Sequence, residues 1–354
     1  MISERISKLR QKIEEAQVDA MLIKKPENLR YLIGFTGSGM LVIDGKYTFL
    51  LTDFRHFEQA VQEASRCEIL KVTNSGYDEL ASLIRKLGLK VIGFESHFLT
   101  FKEYIELSEL GDILLHPLPQ MVEQLRAIKE EGEIVRIARA AKIVDQAFSH
   151  ILPFIRVGVT ERDVAIELEY FMRKSGAEKV GFDIIVASGA RSAIPHARTT
   201  DKGLHPGEFV KIDLGAVYEG YHSNLTRTLV LGKASEQQRK IYRLVLQAQK
   251  RALDGISAGQ TGAQADGIAR DYLSQMGYGS NFGHNLGHGV GLEIHEIPTL
   301  GPKSNERLMA GMVTTIEPGI YISGFGGVRI EDLVVLRERG IEILTTSTKD
   351  LLEL

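Results

Sequence analysis

A repeated pattern, offset by 101 residues, is the sequence feature that most limits how this chain can fold. Each copy has a long helical pattern and then a shorter one that starts at a threonine and stops at a glycine, as capped helices do. The first copy contains Ile155, Gly158, Thr160 and Gly176, and the second contains Ile256, Gly259, Thr261 and Gly277. The repeat predicts a duplicated α-β unit. Duplicated domains often carry a functional site between their halves, which is an inference by analogy.

The region before the repeat alternates short apolar runs with helical patterns over residues 1–115, which is typical of an α/β domain. The segment 116–119 (HPLP) is the best candidate for a linker, because a proline disfavours helical structure in the residue before it. We therefore predict a small N-terminal α/β domain over residues 1–120 and a larger, duplicated domain over residues 121–354.

The composition excludes several classes of protein. The 43 basic and 46 acidic side chains nearly balance over 354 residues, so the chain has no general attraction for nucleic acid or anionic membranes. A single cysteine, Cys67, can form neither an intramolecular disulfide nor a thiolate metal site alone, which favours a cytoplasmic location. The N-terminal segment is charged throughout and lacks the apolar core of a signal peptide. No segment approaches the roughly 20 apolar residues of a membrane span.

Three acidic residues follow or interrupt apolar, strand-like runs. Asp213 follows the run FVKI, Glu317 follows VTTI, and Glu331 lies in an apolar run near the C-terminus. A carboxylate at such a position is buried unless the strand end is open, and a buried carboxylate needs a cation, a hydrogen-bond donor or a proton. Solvated carboxylates at sheet edges are the alternative interpretation.

A glycine-rich segment, FGHNLGHGVGLEIHE, contributes His284, His288 and His295. A single histidine in such a loop is usually solvated, but three in one segment favour a binding role. Repeated glycine indicates tight turns or a close approach of the backbone. Aspartate, glutamate and histidine together are the ligands of an oxygen-rich divalent metal site and suit Mn²⁺, Co²⁺ or Zn²⁺.

Four blocks carry a family resemblance. KIDLGAVYEGYHSNLTRT, GHNLGHGVGLEIHE, TTIEPGIY and GGVRIED occur in that order, preceded by IPHART. Over essentially its whole length, the chain resembles the proline-specific metallopeptidases of the pita-bread superfamily, prolidase and aminopeptidase P. The resemblance implies an α/β (α+β) fold, in which a small creatinase/prolidase-like N-terminal domain precedes a duplicated pita-bread domain. It also implies two divalent metal ions per chain and a homodimer.

The resemblance also implies a role for each matching residue. The implied metal ligands are Asp213 at one ion, His288 and Glu317 at the other, and Glu331 between the two. The residues implied to bind substrate are His196, His284 and Arg329, and those implied to act in catalysis are Glu317, His295 and His196. Arg329 is in addition expected to tie the metal-binding acids in place.

Asn224 departs from the family pattern. Eleven residues after the first metal-binding acid, the family has a second aspartate that bridges the ions, whereas this chain has an asparagine. An amide oxygen is neutral and usually binds one ion, so the ligand set is one negative charge short. We therefore expect one ion to bind more weakly, at the site formed by Asp213, Asn224 and the shared Glu331. The sequence leaves open a tolerated variant, an impaired or repurposed relative, and a substitution that traps substrate.

These assignments predict metal-assisted hydrolysis of the Xaa-Pro bond at the N-terminus of a dipeptide or short peptide. Glu317 would accept the proton of a water held between the ions, and His295 would stabilise the oxyanion. The expected partner is a small peptide with proline at its second position, with no nucleic acid and no membrane. Two alternatives stay open: a weak or inactive relative that binds peptides or proteins through the same cleft, and a metal-free hydrolase of a small amide or amidine. The retention of Asp213, His288, Glu317 and Glu331 argues against the metal-free hydrolase.

Overall fold

The computed structural model describes residues 2–64 and 66–354, which divide into two compact units. The first unit runs to Arg126 and the second begins at Ala127. The first unit includes a helix, Met121–Arg126, that the sequence pattern places at the start of the second domain. In the described part of the chain, every helix is too short or too polar to cross a membrane.

The first unit is built on a six-stranded mixed sheet. Its helices are α1 (Ile2–Glu15), α2 (Pro26–Ile33), α3 (Phe57–Glu63), α4 (Tyr77–Leu87), α5 (Phe101–Ser108) and α6 (Met121–Arg126). Its strands are β1 (Ala20–Ile23), β2 (Met40–Asp44), β3 (Thr48–Thr52), β4 (Glu68–Lys71), β5 (Val91–Phe94) and β6 (Leu114–Pro117). They lie in the order β4-β3-β2-β1-β5-β6, in which β2 is antiparallel to both neighbours and the other pairs are parallel. The alternation predicted for this region is confirmed.

Two local features of the first unit differ from the sequence-based expectation. The sequence patterns do not predict α2, although a proline at the first turn, here Pro26, is a common start of a helix. His116 and Pro117, which are expected in a linker, lie in β6. This strand is at the edge of the sheet, where a proline removes no hydrogen bond that the ladder needs.

The second unit contains the repeat. Its helices are α7 (Glu131–Ile151), α8 (Glu161–Lys174), α9 (Glu236–Gly255) and α10 (Gly262–Gln275). Its strands are β7 (Lys179–Val180), β8 (Ile185–Ser188), β9 (Phe209–Leu214), β10 (Ala216–Tyr218), β11 (Tyr221–His222), β12 (Leu225–Val230), β13 (Gly287–Gly289), β14 (Glu296–Leu300), β15 (Val313–Ile316), β16 (Gly319–Ile322), β17 (Gly326–Arg329), β18 (Asp332–Leu336) and β19 (Ile341–Ile343). The two sheets that matter for the site are β12-β9-β8 and β14-β13-β15-β18-β19, and both are antiparallel.

The duplication predicted from the sequence is confirmed. Helices α7 and α8 form the first copy, and α9 and α10 form the second. Thr160 and Thr261 cap α8 and α10 in the same way, each side-chain oxygen accepting a backbone N–H three residues later. Gly158 and Gly259 have φ angles of +86° and +94°, a conformation that favours glycine. Helices α7 and α8 pack with strands of the first copy in one apolar core, and α9 and α10 pack in a second core, chiefly with strands of the second copy.

This arrangement sets the position of the acidic residues. Asp213 lies in β9 of the first copy, and Glu317 follows β15 of the second copy directly. Glu331 is not inside a strand, as the apolar run suggests, but in the break between β17 and β18. Strand β17 before this break pairs with β16, and strand β18 after it pairs with β15. The hydrogen-bond ladder is therefore interrupted at Glu331.

Candidate metal centre

A cleft of about 320 Å³ in the second unit collects the residues that the sequence singles out. Those that line the cleft are His196, Asp213, Asn224, His284, His288, His295, Glu317 and Arg329. Glu331 is fully buried, but its carboxylate lies beside His288 and Glu317. The structure therefore brings all nine residues together, and they come from both copies of the repeat.

His288, Glu317 and Glu331 form a compact cluster, with one potential ligand atom from each residue within 4.8 Å of the other two. Nε2 of His288 is 3.3 Å from a carboxylate oxygen of Glu317. The Thr315 hydroxyl holds this geometry, because it accepts the backbone N–H of His288 (3.1 Å) and donates to Glu317 (2.9 Å). An added Cβ at Gly287 would lie 1.9 Å from the carbonyl oxygen of Thr315, so this close approach of two strands requires glycine.

Asp213 and Asn224 bring the first copy to the cluster. Asp213 in β9 pairs with Thr226 in β12, and Asn224 directly precedes β12. The Thr226 hydroxyl donates to the Glu331 carboxylate at 2.7 Å, and its carbonyl accepts the backbone N–H of Glu331 at 3.1 Å. Thr226 thereby joins an acid of the second copy to a strand of the first.

Three buried oxygen atoms of this group have no hydrogen-bond partner among the described residues. They are Oδ1 of Asp213, Oδ1 of Asn224 and Oε1 of Glu331. A buried acceptor without a donor costs about 1–3 kcal/mol, and a charged one costs more. Divalent cations would satisfy all three oxygens, since carboxylate, amide and imidazole groups are ligands that such ions accept. The residues present therefore fit divalent metal ions.

His288 is in the form that a metal ligand requires. Burial lowers its pKa, so the ring is neutral. Its Nδ1 lies 3.0 Å from the carbonyl oxygen of Gly289, which can only accept a hydrogen bond. Nδ1 therefore carries the proton, and Nε2 presents its lone pair toward Glu317. A cation between these two groups would stabilise an arrangement that otherwise sets a lone pair against a carboxylate.

The carboxylates of the cluster crowd one another. Burial raises the pKa of Glu317 to about 7 and raises the pKa of Glu331 well above its usual range, and the charge of Asp213 adds to both shifts. Arg329 supplies the counter-charge: its Nη2 donates to Asp213, and its Nε is 3.8 Å from Glu317. One guanidinium cannot neutralise three carboxylates, so bound cations would lower both raised pKa values.

His284 has both ring nitrogens occupied by the protein. Nδ1 is 2.8 Å from the carbonyl oxygen of Asn285, and Nε2 is 2.8 Å from the hydroxyl of Tyr321. That hydroxyl also accepts from Arg329 at 2.9 Å, so it donates its own proton to His284. Burial lowers the pKa of His284 to about 3, which keeps the ring neutral. His284 can therefore offer a ligand the edge or face of its ring, but no free nitrogen.

The other two histidines border the same cleft. The ring of His295 meets the ring of His288 edge-on, with 4.3 Å between the centroids, and burial lowers the pKa of His295. His196 is exposed and lies in an irregular segment that follows a short 3₁₀ helix ending at Ala193. Both side chains line the cleft and can contact a ligand bound there.

Several residues that support the site are not signalled by any local pattern. Thr226, Thr315 and Tyr321 lie inside the blocks that carry the family resemblance, but each acts through a contact with a different strand or loop. Lys211 is a further supporting residue, and it does have a local signal in the sequence, because it is a charged residue inside the apolar run FVKI. Its side chain is fully buried, and burial lowers its pKa to about 6.

Known families match the chain along its length. Residues 135–338 match metallopeptidase family M24, and residues 5–128 match the creatinase/prolidase N-terminal domain. The chain belongs to metallopeptidase family M24. It is 41% identical over 356 aligned residues to an Xaa-Pro dipeptidase of Pyrococcus furiosus, an alignment that covers 99% of this chain and 100% of that protein.

Solved structures of the family match the chain over nearly its whole length. An Xaa-Pro dipeptidase from Bacillus anthracis has a TM-score of 0.98 and 46% identity, with 100% of each chain covered. An X-Pro aminopeptidase from Thermotoga maritima has a TM-score of 0.91 and 40% identity, with 99% of each chain covered. The α/β fold, with an N-terminal domain and a pita-bread C-terminal domain, is thereby confirmed. Membership of a metallopeptidase family implies divalent metal ions.

Proposed function

We propose that this protein is a metal-dependent peptidase that hydrolyses the Xaa-Pro bond at the N-terminus of dipeptides or short peptides. The cluster of His288, Glu317 and Glu331, with unpartnered oxygens of Asp213 and Asn224 beside it, carries the proposal. Relatives named Xaa-Pro dipeptidase and X-Pro aminopeptidase indicate the substrate class. A dedicated site suits this bond, because the tertiary amide has no N–H for ordinary backbone recognition.

Five residues would hold two divalent ions, which we expect to be Mn²⁺, Co²⁺ or Zn²⁺. They are Asp213, Asn224, His288, Glu317 and Glu331. When bound, such ions lower the pKa of a water and polarise the scissile carbonyl. The site with His288, Glu317 and Glu331 has an imidazole and two carboxylates and should bind its ion tightly. The site with Asp213, Asn224 and the shared Glu331 has a neutral amide and should bind more weakly.

The protein's own groups then carry out the proton transfers. Glu317 accepts the proton of the attacking water at its carboxylate and returns it to the proline nitrogen as that bond breaks. His295 and His196 donate hydrogen bonds to the carbonyl oxygen as it gains negative charge. Arg329 keeps Asp213 in place and also lines the substrate cleft. The apolar wall of the cleft includes Phe182, whose ring suits a proline side chain.

The competing functions have less support. A weak or inactive relative that binds peptides would not need buried, unpartnered oxygens beside a cluster of potential metal ligands. A metal-free hydrolase would need no such cluster at all.

We also propose a cytoplasmic homodimer, as expected from the resemblance and the single cysteine. Light scattering of the purified protein and fractionation of cells test these two points.

A substrate comparison tests the proposed function. The protein is stripped of metal with a chelator and then supplied with Mn²⁺, Co²⁺ or Zn²⁺. We expect hydrolysis of Ala-Pro and little hydrolysis of Ala-Ala, with activity only after metal is returned. The ratio of Ala-Pro to Ala-Pro-Ala hydrolysis separates a dipeptidase from an aminopeptidase. Failure to cleave either proline peptide, in protein shown to contain metal, would contradict the proposal.

A further inference from the structure

His196 stands in a segment with little apolar packing, since only the small side chain of Ala197 is buried there. The segment has no regular secondary structure after Ala193, and His196 itself is exposed. The preceding Ile194 is 49% exposed, so it gives the segment little apolar anchorage. A side chain that contacts a reacting group must nevertheless be held within a fraction of an ångström, since a misplacement of about 1 Å can cost about 100-fold in rate. Polar contacts must therefore contribute to fixing this segment.

The far end of the segment is fixed by β8, the residue before it and the start of α8. The Thr199 hydroxyl accepts the backbone N–H of Val186 at 2.9 Å and donates to the carbonyl of Ile184 at 2.7 Å. The backbone N–H of Thr200 donates to the buried carboxylate of Glu161 at 3.1 Å. These contacts begin three residues after His196, so they do not by themselves set the position of its side chain.

The near end is fixed by Lys211. Its Nζ donates to the carbonyl oxygens of Ile194 (2.7 Å) and Pro195 (3.1 Å), the two residues directly before His196. Arg329 also donates to the Pro195 carbonyl at 3.2 Å, but the same guanidinium binds Asp213 as well. Lys211 is fully buried, and no carboxylate oxygen of the described residues lies within 4.0 Å of its Nζ.

The strand geometry explains why this lysine reaches the segment. Lys211 and Asp213 are two residues apart in β9, so their side chains lie on the same face of the sheet. Asp213 lines the cleft, whereas Lys211, two residues earlier in the strand, does not. The Nζ of Lys211 is 5.1 Å from the centroid of the Tyr321 ring. Burying a lysine side chain without a carboxylate partner is costly whether it keeps or loses its proton, so a lysine at this position must meet a need that an apolar residue would not meet.

We propose that Lys211 is a positioning residue for His196, because it holds the Ile194 and Pro195 carbonyls and so fixes where the His196 side chain enters the cleft. The inference rests on the proposed function for the role of His196. An apolar residue at 211 would leave the Ile194 carbonyl without this donor and would leave the Pro195 carbonyl to Arg329 alone. Lys211 itself does not line the cleft and touches no substrate.

A double-mutant cycle tests the inference in the metal-loaded protein. Lys211→Met, His196→Ala and the double variant are assayed for kcat and KM with Ala-Pro at saturating Mn²⁺. We expect Lys211→Met to lower kcat/KM by about tenfold or more in the unsubstituted protein. In the His196→Ala background, Lys211→Met should lower kcat/KM by less than about twofold, because the residue through which Lys211 acts is gone. An equal loss in both backgrounds would overturn the inference.

Lys202→Met is the control, because it makes the same substitution at another lysine whose Nζ donates hydrogen bonds within the protein. Lys202 follows the far end of the segment, donates to Ser188, Glu208 and the Gly203 carbonyl, and does not line the cleft. We expect it to leave kcat/KM within about twofold. If Lys211→Met does not stay folded at the assay temperature, Lys211→Gln replaces it in the same two backgrounds, with the same difference between backgrounds as the criterion.

A second readout does not depend on catalysis. In protein labelled with ¹³C at histidine Cε1 and loaded with diamagnetic Zn²⁺, Lys211→Met should shift or broaden the His196 resonance, while Lys202→Met should not. An unchanged His196 resonance in Lys211→Met would overturn the inference even if activity fell. If the unsubstituted protein cleaved no Xaa-Pro peptide, the proposed function would fail, and this spectrum would still report whether Lys211 sets the position of His196.

Discussion

The guanidinium of Arg329 donates to Oδ2 of Asp213 and leaves Oδ1 of the same carboxylate buried without a protein partner. The arginine thus orients the acid and leaves one of its oxygens available to a cation in the cleft that Asp213 shares with His288 and Glu317. Arg329 is held in its turn by Thr226 at 3.0 Å and Tyr321 at 2.9 Å. A buried cation beside the cluster therefore organises the carboxylates without replacing the metal ions that their oxygens still require.

Arg329→Lys should weaken both metal binding and catalysis. A lysine keeps the charge but cannot contact Asp213, Thr226 and Tyr321 at once, because it lacks the planar fork of the guanidinium. We expect about a 10–100-fold loss in metal affinity or in kcat/KM, the usual range for partners of metal ligands. Isothermal titration with Mn²⁺ and a peptide assay measure both. Arg337→Lys, at a partly exposed arginine paired with the exposed Glu131, is the control and should change neither. Retention of full affinity and rate in Arg329→Lys would contradict this role.

The two neighbouring histidines should separate binding from chemistry. His288→Ala should lower the metal content of the protein, because His288 presents a lone pair to the cluster. His295→Ala should keep the metal and lower kcat by about 100-fold or more, as removal of an oxyanion donor does. Metal analysis of the purified variants and steady-state kinetics give the two numbers. Equal metal loss in both variants would count against the division of roles.

Glu103 in the first unit should make stability depend on pH. Burial alone would raise its pKa, but hydrogen bonds from Lys24 and Thr100 outweigh burial and lower the pKa to about 2, from an ordinary value of 4.5. Because the folded pKa is the lower one, the stabilisation is fully present above about pH 4.5 and is lost as the pH falls toward 2. Glu103→Gln should therefore lower the urea midpoint more at pH 7 than at pH 3.

Glu106→Gln is the control for that comparison, since Glu106 lies on the same helix and pairs with the exposed Lys102 at 3.6 Å. It should shift the urea midpoint little at either pH. Equal losses at pH 7 and pH 3 in Glu103→Gln would show that its charge does not contribute in this way.

Asn224→Asp should strengthen the weaker ion site. The amide oxygen is buried without a partner, and a carboxylate there would restore the missing negative charge. We expect tighter binding of the second ion and a gain in kcat/KM of about tenfold, which corresponds to about 1.4 kcal/mol. Asn285→Asp is the matched control, because Asn285 lines the same cleft and its substitution adds the same charge outside the ligand set. If two ions already bind stoichiometrically at micromolar metal, and Asn224→Asp changes neither occupancy nor rate, Asn224 is not a ligand.

Much of the site could be predicted from the sequence, because its signals are local. Asp213 and Glu317 follow apolar runs that form β9 and β15, and His288 stands among glycines that allow two strands to approach closely. The capped helices of the repeat are equally local, since each cap depends on residues three positions apart.

The contacts that link the two copies could not be predicted in this way. The hydrogen bonds of Thr226 with Glu331 and of Tyr321 with His284 form only because strands and loops from different parts of the second unit pack against one another. The position of Glu331 shows the same limit: an apolar run indicates a strand, but not the point where the chain leaves one pairing for another. Pro117 shows that a proline marks an edge strand as well as a linker, and only the strand order decides which.

The most direct test of the metal centre is the conservative change Glu331→Gln, with metal content and Ala-Pro hydrolysis measured on the same sample. The amide keeps the size of the side chain and a hydrogen-bond partner for Thr226, but it removes the charge expected to serve both ions. We predict that metal content and hydrolysis are lost together, while the melting temperature of the metal-free protein changes little. Full metal content and an unchanged rate in Glu331→Gln would contradict it.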